Sequence, residues 1–147
     1  MALVKETAKR STCLRRAVGC VLVDERGHVI ATGYNGVACG QPHCNEAHTC
    51  NGHVMYLHAC NGASAVSGTG LDTCEAIHAE QNALLQCNDV YRIATCYCSA
   101  SPCVTCTKLL LNTSCRRVVF AEVYPHPAAQ ILWERAGREW VQFEYEL

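Results

Sequence analysis

The sequence has no surplus of charge of either sign: 12 Lys and Arg stand against 13 Asp and Glu, a formal net charge of −1. A protein built to hold a long polyanion usually carries a basic excess, so no nucleic-acid polymer is expected as a partner. Long apolar runs are also missing. The longest uncharged stretches are rich in Gly, Asn, Ser and Cys, and none reads as a membrane span. Residues 1–17, MALVKETAKRSTCLRRA, carry charges every few positions and no apolar segment, so no secretory signal, no membrane and a cytoplasmic location are expected. What is present is apolar material: half of the 147 residues, with 17% charged. That composition excludes intrinsic disorder and fits one domain over residues 1–147.

Cysteine is abundant, at 13 residues beside 7 histidines. In a short secreted chain this density would mean a disulfide framework. The odd count and the lack of an export signal argue instead for reduced thiols, and thiols clustered with His favour a metal.

The apolar pattern divides the chain. Leu3, Val4, Thr7, Ala8 and Leu14 have helical spacing, which predicts a helix from residue 2 to about 14. Val18 to Asp24 reads as a buried strand, Glu25 to His28 as a turn and Val29 to Gly33 as a second strand, together a hairpin. From Tyr34 to about Thr73 no periodicity persists, and so long a patternless stretch inside a domain needs a functional reason or a metal that replaces the core. Residues 78–87 are good helix formers. Ile93 to Ala100 reads as a strand, Cys103 to Asn112 as a helix opened by Pro102, and Arg117 to Tyr124 as a strand. Pro127 to Ala136 reads as a helix stopped by Gly137. From Trp140 to Glu146 apolar and polar residues alternate, predicting a half-exposed strand at or near a sheet edge. Alternation of this kind predicts an α/β fold with a partly parallel sheet and helices on both faces.

Two segments carry chemistry, His78-Ala79-Glu80 and Pro102-Cys103-Val104-Thr105-Cys106. Each falls where a helix begins. Cys103 and Cys106 share a helical face. His78 and Glu80, two apart, can serve one site only if it lies off the helix end. Three N/S ligands (His78, Cys103 and Cys106) leave a fourth tetrahedral position open, the arrangement of a catalytic zinc. Glu80 then reads as the proton shuttle beside it. H-x-E with P-C-x-x-C is the general signature of zinc nucleobase deaminases.

On these motifs the chain resembles the cytidine deaminase superfamily, and within it the deoxycytidylate (dCMP) deaminases of phage and viral type. The resemblance rests also on Arg16-Ala17-Val18-Gly19, on Gly33-Tyr34-Asn35-Gly36, on residues 41–46 (QPHCNE), on residues 77–84 (IHAEQNAL) and on Glu122-Val123-Tyr124. It implies a three-layer α-β-α fold with a five-stranded mixed sheet, and zinc-dependent conversion of dCMP to dUMP and ammonia. It also implies a homo-oligomer, a hexamer in most members, activated by dCTP with Mg2+ and inhibited by dTTP. A viral chain would work in the host cytoplasm. For the substrate it implies Asn35 at the sugar hydroxyl, Asn82 at the sugar or phosphate, the backbone of Ala100 and Ser101 at the pyrimidine edge, and Tyr124 near the phosphate. Arg15, Arg16 and Gly36 are implied as an effector or phosphate site.

Residues 39–74 form a Cys/His-rich insertion without a CxxC pair of its own. The resemblance implies a second, structural zinc here, with Cys13, Cys44 and Cys74 as ligands and His48, Cys50 or His58 as the fourth. Ala76 occupies the position, two before His78, where some members place an acidic ligand. Three other readings stay open: action on dCTP, a polynucleotide deaminase of the transfer-RNA adenosine type, and a non-catalytic zinc-binding regulator.

Overall fold

The structure, a computed structural model, describes residues 1–44, 47–50, 53–57 and 74–144, with 47–50 and 53–57 by their backbone alone. In chain order the elements are α1 (Ala2–Ala8), β1 (Gly19–Val23), β2 (Val29–Tyr34), β3 (Gly36–Val37), β4 (Ala47–Cys50), β5 (His53–Leu57), β6 (Ala76–Ile77), α2 (Ala79–Gln86), a 3-10 turn (Val90–Arg92), β7 (Thr95–Ala100), α3 (Val104–Leu111), β8 (Arg117–Glu122), α4 (Pro127–Arg135) and β9 (Glu139–Gln142). Five strands form one mixed sheet in the order β2-β1-β7-β8-β9. β1 runs antiparallel to both neighbours, while β7-β8 and β8-β9 are parallel pairs joined through α3 and α4.

Strand alternation sorts the core into two faces. Cys20, Leu22, Ala31, Cys96, Cys98, Val118 and Phe120 pack with Ala79 and Ala83 of α2, Leu110 of α3 and Trp133 of α4. The other face takes α1, whose Val4 and Ala8 are buried against β1. The result is three layers. Two glycines allow the helices to lie this close: a Cβ on Gly33 would stand 2.2 Å from the Ala79 carbonyl oxygen, and one on Gly19 would stand 2.3 Å from that of Val4. α2 therefore rests directly on the β2 backbone. Among the described residues, no helix is long and apolar enough to cross a membrane, and every described cysteine is free.

Local chemistry sets the element boundaries. The β1-β2 turn closes because the Asp24 carboxylate accepts the backbone N–H of Arg26 and of His28, each at 2.9 Å, while Gly27 takes a φ of +80°. The first helix stops at Ala8, six residues before the expected Leu14. Beyond it the Ser11 hydroxyl donates to the Asn35 carbonyl oxygen at 2.9 Å and accepts the Cys13 N–H at 3.2 Å, which draws the chain away from the helix axis. Leu14 is left exposed.

The patternless stretch is not wholly irregular. β3 pairs antiparallel with β6, Gly36 opposite Ile77 and Val37 opposite Ala76, closing the insertion at its base. Within it β4 and β5 form an antiparallel pair. The last strand is the predicted sheet edge but ends at Gln142. Trp140 is partly buried, its ring 5.3 Å from that of Phe120.

Candidate active site

The site gathers at the N-termini of α2 and α3. His78 is the N-cap of α2, with an extended backbone (φ −68°, ψ 154°) that turns its ring off the helix end. Gln81 fixes that conformation, its side-chain oxygen accepting the His78 N–H at 2.9 Å. Sequence reading passed over Gln81, although a polar cap followed three residues later by Gln is the signal of a capping box. Cys103 is the N-cap of α3 and accepts the Cys106 N–H at 3.4 Å. Pro102 precedes it, and the Ser101 N–H donates to the Glu122 carbonyl oxygen at 2.8 Å. That bond continues the β7-β8 ladder and holds the turn into α3.

These two caps bring three donors together. The Nδ1 of His78 lies 3.4 Å from Cys103 Sγ and 3.3 Å from Cys106 Sγ, and all three atoms fall within 4.8 Å of one another. One nitrogen and two sulfurs at this spacing, on capped helix ends, fit a tetrahedral ion such as zinc with one position left over. The Cys106 groups that point at Cys103, and then the His78 ring, pull the Cys103 thiol down to about 4. Its neighbour Cys106 is pushed above the usual thiol range, first by Cys103 and then by burial. His78 is raised, chiefly by its bond to Cys103. One sulfur is thus poised as thiolate before any ion arrives, at a helix N-terminus that favours negative charge.

Glu80 is in the first turn of α2, 4% exposed. Burial lifts its carboxyl from the ordinary range to about 7. A buried acid beside the donor triad is what proton transfer near neutral pH requires.

A solvent-open cleft gives access to His78, Glu80 and Cys103. Its walls include Asn35, Ala100, Ser101 and Tyr124, with Arg15, Arg16, Cys13 and Cys74 at the same cleft. Asn35 is buried and busy: its side-chain oxygen accepts the Val18 N–H at 2.8 Å, and its amide donates to the Arg16 carbonyl oxygen at 2.7 Å. It therefore shapes the Arg16 to Val18 wall as well as lining it. The Ser101 hydroxyl accepts the Tyr124 N–H at 2.7 Å and sets where Tyr124 stands. Arg16 is paired with Glu122. Asn82 is outside the residues that line this cleft, its amide donating to the Tyr34 carbonyl oxygen at 2.8 Å. Gly36 belongs to the β3-β6 clasp.

Of the residues expected at a second metal, Cys44 is buried and Cys13 and Cys74 line the cleft. The side chains of His48 and Cys50, and all of His58, lie outside the described residues.

Residues 1–122 match the family model for the cytidine and deoxycytidylate deaminase zinc-binding region. A deoxycytidylate deaminase of Schizosaccharomyces pombe is 42% identical over 127 residues, which is 84% of this chain and 36% of that protein. The chain thus spans about a third of the length of that relative. A deoxycytidylate deaminase of Mycobacterium phage D29 is 38% identical over 121 residues, 82% of this chain and 89% of that one. The fold is shared with a dCMP deaminase of cyanophage S-TIM5, solved in complex with dCMP and dUMP. The TM-score is 0.72 at 21% identity, covering 97% of this chain and 92% of the other.

Proposed function

This chain belongs to the cytidine and deoxycytidylate deaminase family, and from that premise we propose that it hydrolyses the exocyclic amine of dCMP, giving dUMP and ammonia. The observation that carries the reading is the buried Glu80 carboxyl beside the His78, Cys103 and Cys106 donors at the foot of one open cleft. Those three side chains would hold zinc, which when bound would supply the Lewis acidity that makes a water acidic near neutral pH.

The rest is done by the protein. Glu80 accepts the proton released by that water and delivers it to the ring nitrogen beside the reacting carbon. Addition at ring carbon 4 is thereby favoured. Glu80 then takes the proton of the added hydroxyl as the carbonyl forms and gives it to the amine, which leaves as ammonia. The backbone of Ala100 and the carbonyl of Ser101 lie on the cleft wall for the pyrimidine edge, the Ser101 N–H being spent on Glu122. Both are held rigidly, since Ser101 is tied to Glu122 and Tyr124. Arg15 and Arg16, on the cleft wall with Tyr124, provide the positive charge a 5′-phosphate needs.

The same reading extends to the finer expectations. They are a second, structural zinc at Cys13, Cys44 and Cys74, a homo-hexamer in the cytoplasm, activation by dCTP with Mg2+ and inhibition by dTTP. Their support is the sequence resemblance centred on Gly33-Tyr34-Asn35-Gly36. A substrate panel of dCMP, dCTP, CMP, deoxycytidine and a structured RNA, scored by deaminated product, tests the core proposal. Turnover highest on dCMP is expected. Preference for RNA or for dCTP overturns it.

A further inference from the structure

The core between the sheet and α2 holds three cysteines that this chemistry does not use. Cys20 is on β1, and Cys96 and Cys98 are on β7. Cys20 stands opposite Cys98 in the antiparallel ladder, with Cys96 two residues along, so strand alternation turns all three onto one face. Each is 0% exposed. Cys96 Sγ lies 3.6 Å from Cys20 Sγ and 3.4 Å from Cys98 Sγ, and the three sulfurs fall within 4.8 Å of one another. The cluster is as tight as the His78 set, where the donors stand 3.3 and 3.4 Å apart. A buried cysteine by itself is a small apolar group. Three converging at ligand spacing make a preformed sulfur triangle.

We propose that Cys20, Cys96 and Cys98 form a further site, separate from the zinc positions above, that selects a trivalent thiol-seeking metalloid, with arsenite as the probe. Charge and shape both choose the occupant. Three thiolates around a divalent ion leave one net negative charge in the core, and around a monovalent ion they leave two. Uncompensated buried charge is strongly disfavoured. A trivalent ion leaves none. In a flat three-sulfur complex, metal–sulfur bonds of about 2.3 Å would spread the sulfurs to about 4.0 Å. The Cys96–Cys98 and Cys96–Cys20 separations, 3.4 and 3.6 Å, are shorter than this and suit a pyramid, the shape that a lone pair on trivalent arsenic imposes.

The reaction is a simple exchange. Three S–H bonds and three As–O bonds of arsenious acid break, three As–S bonds form, and the protons leave with the hydroxyls as three waters. No electrons are transferred. Entry needs local opening of the core, so binding is slow.

The test uses the full chain loaded with zinc. After incubation with arsenite and desalting, native mass spectrometry should show one arsenic per chain in place of three hydrogens, with the zinc content unchanged. Cys96→Ala and Cys98→Ala should each abolish retention, while Cys13→Ser and Cys44→Ser should keep it. Arsenic X-ray absorption on the unsubstituted protein should count three sulfurs, a readout that stands even if a substituted chain fails to fold. Retention of no arsenic overturns the proposal. So does retention undiminished in folded Cys96→Ala, or uptake matched by an equal loss of zinc.

Discussion

Glu80 and Arg138 show two ways in which one polar side chain can be fixed inside this protein. Glu80 is buried with its carboxyl lifted to about 7, the placement that the proposed proton transfer needs. Glu80→Gln keeps the shape and removes the proton. It should retain zinc, measured by metal analysis, and lose about 100- to 10,000-fold in turnover. Near-normal turnover would sink the assigned role. Arg138 is structural. Its guanidinium donates to the carbonyl oxygens of Leu110, Leu111, Thr113 and Cys115, at 3.3, 2.8, 3.4 and 2.7 Å, and stacks on the Trp133 ring. It thus closes the C-terminal end of α3, where the carbonyls have no helical partners. Arg138→Met should lower unfolding stability by about 2 kcal/mol in urea denaturation, because charge-assisted bonds are lost.

At the scale of elements, α2 depends on the bare backbone of Gly33. Gly33→Ala would put a methyl 2.2 Å from the Ala79 carbonyl oxygen and 2.4 Å from the Ala83 nitrogen. The helix must move, carrying His78 and Glu80 away from the cysteines. A loss of about 1–3 kcal/mol is expected from overpacking, accompanied by weaker zinc retention on dialysis. The β1-β2 hairpin gives a pH signature. Bonds from the His28 and Arg26 N–H groups, with His28 and Arg92 nearby, hold the Asp24 carboxyl below its usual range. A depressed carboxyl stabilises the fold above its unfolded value, and that contribution fades as pH falls through the folded value. The melting-temperature gap between the protein and Asp24→Asn should therefore be widest near neutrality and close in acid.

The elements that carry the donors were the most legible in the sequence. His78 and Cys103 are caps, and cap chemistry is local, so the motif and the helix start coincide. Boundaries set by distant contacts were not legible. Nothing around Leu14 reveals that the Ser11 hydroxyl will bond to Asn35. The β3-β6 ladder is two residues long on each side, too short to leave a period. In the last strand the alternation marks two sides without saying which is covered; Trp140 packs on Phe120, a choice made by the neighbouring strand. The sulfur triangle escaped for the same reason, being split between β1 and β7; the alternating Cys96-Tyr97-Cys98 was the one local hint.

For the molecule as a whole, an ion held by His78, Cys103 and Cys106 would join the starts of α2 and α3. Removing zinc with a chelator should lower the melting temperature, by an amount equivalent to about 3–4 kcal/mol if free zinc had stood at 100 to 1,000 times its dissociation constant. Adding zinc back should restore it, and Cys106→Ser should show no such response. The proposed regulation belongs to this scale too. dCTP should turn a sigmoidal dCMP rate curve hyperbolic and dTTP should shift it to higher substrate, each by differential affinity for two arrangements of the oligomer. Hyperbolic curves indifferent to both nucleotides would remove the regulation and leave the chemistry intact.

The clasp between β3 and β6 also bears on how the chain can change over time. Val37 faces Ala76 across it, so whatever lies between them enters and leaves at one point, outside the five-stranded sheet. The entropy of closing such an excursion grows only logarithmically, and doubling its length costs about 0.6 kcal/mol. Evolution can therefore lengthen, shorten or exchange the segment with little effect on the sheet, while Ala76 and Ile77 still deliver the chain to His78. Chimeras that replace residues 45–73 between these two anchors, keeping the buried Cys44 and the cleft-lining Cys74, should fold, which makes the clasp a natural seam for grafting.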